Sequence, residues 1–95
     1  MAAYAIFIRE ITHDQAELDT YIAAPNKGLD RQVVKILAAY GNLEVLEGPT
    51  PEGVVIAEFP SIEAAKSWYF GDEYQRVIQH RFKGATYRAI LVEGV

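Results

Sequence analysis

The chain alternates short apolar runs with amphipathic stretches, and the period of each decides which element it predicts. Residues 4–8, Tyr-Ala-Ile-Phe-Ile, are aromatic and β-branched without a breaker and predict a strand. Thr12 or Asp14 then stands where a short side-chain oxygen can accept from the free N–H groups of a first helical turn. Leu18, Tyr21 and Ile22 follow at helical spacing, with Asp14, Glu17 and Asp19 on the polar side, until Pro25 interrupts. Leu29 and Asp30-Arg31 suit a second short turn.

Residues 32–39 fit either period. The β-branched cluster of Val33, Val34 and Ile36 ahead of the Tyr40-Gly41-Asn42 turn favours a strand. Leu43 to Glu47 suits a short extended piece, and Gly48 to Gly53 is a loop rich in glycine and proline. Val54 to Phe59 is the clearest strand, ended by Pro60. Ser61 suits an N-cap, with Ala64, Ala65 and Trp68 at helical spacing behind it. Gly71-Asp72 breaks that helix, Asp72 suits the cap of another over roughly 73–82, and Tyr87 to Val92 predicts a closing strand. The order is β-α-β-β-α-β: an α+β, ferredoxin-like sandwich with one antiparallel four-stranded sheet and both helical regions on one face. Nothing divides the chain, so residues 1–95 read as one domain.

The strands lack the alternation of a half-exposed sheet. Tyr4, Ile6 and Ile8 oppose Ala5 and Phe7; Val54 and Ile56 oppose Val55, Ala57 and Phe59; Ala89 and Leu91 oppose Ile90 and Val92. Both faces are apolar, and helices cover only one. The other would expose on the order of several hundred Å² of apolar surface, more than monomers usually leave open. A second copy packing sheet to sheet through a two-fold axis hides it, giving a homodimer. Folding loop 41–53 over that face is the alternative.

Composition agrees. Hydrophobic residues make up 51% of a chain too short to hide them easily, which favours a partner surface. A net charge of −4 with scattered basic residues argues against nucleic acid. No apolar run approaches the ~20 residues of a membrane span, and the start carries no signal-peptide pattern, so a cytoplasmic location is expected. The absence of cysteine removes disulfides, thiol nucleophiles and thiolate metal sites.

Five short strings lie in a familiar order: Leu46-Glu47-Gly48, Glu58-Phe59-Pro60-Ser61, Glu73-Tyr74-Gln75, Arg81 and Leu91-Val92-Glu93-Gly94. Through them the chain, from Tyr4 to Gly94, resembles the domain-of-unknown-function 1330 family of the dimeric α/β-barrel (ferredoxin-like) superfamily. The resemblance implies a β-α-β-β-α-β monomer whose sheet pairs with its twin. Three departures stand out. Val33-Val34 occupy the place of a glycine pair, Ala39 the place of an arginine, and Gly71-Asp72 the place of Ser-Pro. An arginine that served a ligand would leave that contact altered here. The superfamily includes cofactor-independent monooxygenases, muconolactone isomerases, haem enzymes and ligand-sensing modules, and a shared fold does not choose among them.

Arg81, in the family string and beside apolar Val77, Ile78 and Phe82, is the first candidate, as an anchor for a carboxylate or enolate oxygen. The structural reading makes it a helix-end arginine paired with a carboxylate. Glu58 lies in an apolar strand, either as a general base or as the ion-pair partner of Arg81. Trp68, Tyr69 and Tyr74 cluster around the Gly71 break, where they line a small-molecule pocket or fill a core. His80 is the one candidate general base of neutral pH and the one candidate haem ligand, and no cofactor or metal is expected. Two functions follow. One is a cofactor-independent isomerase or oxygenase acting on a small organic acid or aromatic compound. The other is a non-catalytic dimer that binds a metabolite or supports an assembly.

Overall fold

A computed structural model describes residues 1–95. Its elements are β1 (Ala3–Thr12), α1 (Gln15–Ala23), β2 (Lys35–Ala39), β3 (Gly53–Phe59), α2 (Ile62–Tyr69), α3 (Asp72–Gly84) and β4 (Ala85–Glu93). The strands form one sheet in the order β2-β3-β1-β4, every neighbouring pair antiparallel. This is the ferredoxin-like α+β fold expected, with the second helical region split into α2 and α3.

The register decides which side chains meet the helices. Phe7 stands opposite Val55 and Ala89, and Ile6 stands opposite Ile56 and Ile90. Ala5, Phe7, Ala57 and Phe59 turn inward and join Val34 and Ala65 in the core. Trp68 ties this core together, its ring centroid 5.4 Å from that of Phe59 and 4.2 Å from that of Tyr74. The opposite face has no helical cover. Tyr4, Ile6, Ile8, Val54 and Ile56 are only half-buried, while Ile90 and Val92 are about half exposed. The whole molecule measures 33 × 33 × 18 Å, the thickness of one sheet and one helical layer.

Local chemistry explains the boundaries. Asp14 caps α1, its Oδ1 accepting from the amides of Ala16 and Glu17 at 3.1 and 3.3 Å. Ser61 Oγ does the same for α2, accepting from the Ala64 amide at 3.1 Å. At α3 the N-cap is Gly71 without a side-chain bond, and Asp72 begins the helix itself. The second strand starts later than the residue pattern suggests. The Asp30 carbonyl captures the amides of Val33 and Val34 at 3.1 and 2.9 Å, and its carboxylate that of Gln32. Residues 31–33 are therefore held in a turn, and the strand begins only at Lys35.

Helices α1 and α3 approach closely at Gly84. A Cβ there would lie 2.6 Å from the Leu18 amide nitrogen. The Gly84 carbonyl also accepts from the amides of His13 and Asp14, at 2.7 and 3.0 Å, joining the end of α3 to the start of α1.

Candidate functional site

A cavity of about 220 Å³ opens between α1, the 25–34 segment and the inner face of β2, β3 and β1. Eleven of its 13 lining residues are hydrophobic, among them Phe7, Leu29, Ile36, Val55 and Trp68, so its walls suit an apolar body. The segment above it is shaped by a tight turn. Asn26, Lys27 and Gly28 all adopt left-handed backbone angles (φ 53°, 48° and 78°), which turns the chain back after Pro25. Trp68 Nε1 donates to the Lys27 carbonyl at 2.8 Å and holds this turn to α2.

The polar groups at the cavity are nearly all donors. Lys27 and Arg31 are its charged lining residues, and no carboxylate joins them. Lys27 Nζ rests on the carbonyls of Ile22 and Ala24, and burial, then the neighbouring Arg31, pulls its pKa down. Two phenol pairs complete the set: Tyr21 with Tyr74 at 2.7 Å, and Tyr40 with Tyr87. Burial is the largest cause pushing the phenols of Tyr21, Tyr40 and Tyr74 up, although the Arg81 charge opposes it at Tyr21 and Tyr74. They remain protonated. Within each pair one O–H is spent on the other oxygen, which leaves one phenolic proton per pair to offer.

Arg81 stands behind this wall. It is 3% exposed, and its guanidinium carbon lies 5.4 Å from the Phe7 ring and 5.0 Å from the Tyr87 ring, both of which line the cavity. Phe82 approaches from a third side at 5.5 Å. Nε and Nη1 are buried and find no acceptor. The ion pairs of the chain are Arg9–Glu52, Lys35–Glu58, His80–Glu17 and Arg88–Glu10, so Arg81 has no carboxylate partner. Three aromatic faces partly replace the lost hydration, yet the donors stay unmatched. The guanidinium thus keeps two buried donors without an acceptor.

The other candidates are dispersed. Glu58 does not pair with Arg81. Its neighbours Ala57 and Phe59 face the helices, so strand parity turns Glu58 to the open face, where Lys35 Nζ lies 3.8 Å away. His80 Nδ1 donates to Glu17 Oε2 at 2.7 Å, bridging α3 to α1, and is not among the residues lining the cavity. Trp68, Tyr69 and Tyr74 do pack together, with Tyr74 fully buried and Trp68 on the cavity wall. Ala39, at the place where the resemblance expects arginine, also lines the cavity. Lys27, Arg31, Tyr21, Tyr40 and Tyr87 are site residues that the sequence pattern did not single out. Their one signal was the number of tyrosines, six in 95 residues.

Fold and cavity together define a small ferredoxin-like α+β protein with an apolar pocket backed by an unpaired arginine. The sequence matches the family described as domain of unknown function (DUF1330) over residues 2–95, and the chain belongs to that family. No curated protein matches it significantly. Among solved structures it is similar to a Rhodopseudomonas palustris protein of unknown function, with a TM-score of 0.72 and 20% identity over 99% of this chain and 82% of the other. A dimeric protein of unknown function and ferredoxin-like fold from Bacteroides fragilis matches with a TM-score of 0.62 and 16% identity, over 98% and 96% of the two chains. An ethyl tert-butyl ether d (ethd) family protein from Bacillus halodurans matches over the whole of both chains, with a TM-score of 0.57 and 16% identity. At these identities the likeness concerns the fold. No helix is long and apolar enough to cross a membrane.

Proposed function

We propose that the protein is a homodimeric binder of a small organic anion, a carboxylate on a single ring or short apolar chain. The observation that carries this reading is Arg81, buried to 3% exposure with two guanidinium nitrogens unmatched and no acid beside it. The phenols and Lys27 add donors at the same wall, and the apolar lining suits the rest of the ligand. A volume of about 220 Å³ is below the ~300–1,000 Å³ of typical pockets and restricts the ligand's size. Dimerisation through the open sheet face is supported by the half-exposed row Ile6, Ile56, Ile90 and by the dimeric relative from Bacteroides fragilis. An isomerase or oxygenase acting on the same compounds would need a proton-transfer group at the cavity; Glu58 and His80 stand elsewhere, which leaves that role to Lys27 or the phenols. Holding the ligand is the function best supported.

The test is a thermal-shift and calorimetric screen of aromatic and short aliphatic carboxylates, each beside its uncharged amide. A carboxylate should raise the melting temperature of the wild type while its amide does not. Arg81→Met should weaken binding about 10- to 100-fold, the loss expected for one or two charge-assisted hydrogen bonds. Equal binding of acid and amide, or full binding by Arg81→Met, would sink the anion reading. Sedimentation of the wild type tests the dimer separately.

A further inference from the structure

Residues 41–51 leave the body of the molecule between two fixed points. Tyr40 N–H donates to the Val54 carbonyl, and Glu52 N–H donates to the Arg9 carbonyl at 2.7 Å while its carboxylate meets Arg9 Nε at 3.0 Å. Between them no residue belongs to a strand or helix or shares a backbone hydrogen bond with another part of the chain. This stretch nevertheless carries Leu43 and Val45, each 37% exposed, and Leu46, which is 91% exposed. Flexible surface loops are normally polar. An apolar arm whose backbone groups are all unspent is suited to a second polypeptide.

From these features we infer that the arm crosses to a second copy of the chain, adds to the free edge of its β4, and seats Leu46 in the cleft beside that strand. The inference rests on the dimer proposed above and concerns what completes it. β4 is one of the two edge strands, so its outer amides and carbonyls are unpaired. Beside it lies an apolar cleft of about 320 Å³, lined by Phe7, Lys66, Tyr69, Phe70, Ile90 and Leu91 among others. Charge is complementary: the arm carries Glu44 and Glu47, while Lys66 lines the cleft. Symmetry brings the two together. A two-fold axis running along the strands between facing sheets sets the β2 edge of one copy over the β4 edge of the other. The arm springs from that β2 edge, and Leu46, six residues from either anchor, reaches up to ~20 Å, more than the ~10 Å between packed sheets.

The experiment uses the whole chain, which has no native cysteine to interfere. Leu46→Asp should leave the circular dichroism of the subunit unchanged, because Leu46 touches little of its own subunit. It should weaken the dimer about a hundredfold in sedimentation equilibrium, roughly tenfold for each of two arms. Leu46→Cys and Phe70→Cys chains, mixed and gently oxidised, should form the mixed disulfide in preference to either self-linked product. A dimeric wild type whose affinity Leu46→Asp leaves within about twofold would overturn the arm and spare the dimer. So would Leu46→Cys linking chiefly to itself. A monomeric wild type would overturn the dimer and the arm with it.

Discussion

Replacing Arg81 with methionine separates a functional arginine from a structural one, because the two roles predict opposite signs of stability. Nε and Nη1 are buried without acceptors, and each unmade bond to a buried donor costs ~1–3 kcal/mol. The rings of Phe7, Phe82 and Tyr87 at 5.0–5.5 Å return part of this, at ~0.5–2 kcal/mol for each cation–π contact. Methionine keeps most of the apolar stem volume and needs no hydrogen bonds. Buried charges exchanged for well-packed apolar residues often leave proteins more stable. With two donors and three rings these terms nearly cancel, ~2–6 against ~1.5–6 kcal/mol, so relief of the unpaired buried charge sets the sign and favours Arg81→Met by about 1–2 kcal/mol in the ligand-free protein, or a rise of roughly 5–15 °C in Tm for a chain of this size. The assay is urea unfolding of dialysed protein at one fixed chain concentration, with the m-value compared so that only a shift in midpoint is read as stability. A loss of more than about 1 kcal/mol would refute the reasoning, since it would mean that Arg81 holds the fold together through contacts of greater worth than its unmet donors.

Three further outcomes are expected. Gly84→Ala places a methyl 2.6 Å from the backbone nitrogen of Leu18, so α1 and α3 must part; the loss should be about 1–3 kcal/mol, or more if the Gly84 carbonyl releases His13 and Asp14, read by thermal unfolding. Trp68→Phe removes the donor to the Lys27 carbonyl and should cost about 1–3 kcal/mol, with faster amide exchange over residues 25–34 as its local signature. The fold should also weaken in alkali. Tyr21, Tyr40 and Tyr74 hold their protons more tightly folded than unfolded, so their contribution is complete below the ordinary phenol pKa of about 10 and falls as pH rises above it. Phenolate absorbance should show these three of the six tyrosines ionising only as the protein unfolds.

The sequence made most of the scaffold legible because its signals are local. Runs with both faces apolar marked β1, β3 and β4, and Asp14 and Ser61 stood where caps were needed. The start of β2 escaped because Asp30 spends its carbonyl on Val33 and Val34, a backbone choice that hydrophobicity does not encode. The site was legible only at Arg81 and the Trp68 cluster. Tyr21 meets Tyr74 across 53 residues and Tyr40 meets Tyr87 across 47, distances at which spacing carries no information. The Glu58–Arg81 pairing failed for a simpler reason: once Phe59 is buried, period two sends Glu58 to the other face. Val34, standing where the resemblance expects glycine, fills part of the core instead.

One of the two inner strands of the sheet is β1, and it pairs along its length with β4, Ala3 opposite Glu93. On the ribosome, β1 therefore emerges with one of its two neighbours some 80 residues from being made. At ~5–20 residues per second that interval lasts about 4–16 s, during which Tyr-Ala-Ile-Phe-Ile has an apolar face on either side and no β4 to pair with. The domain cannot grow outward from its own middle as it is synthesised. Until β4 is made, β1 has one edge unpaired, so the sheet closes only when residues 85–93 are free.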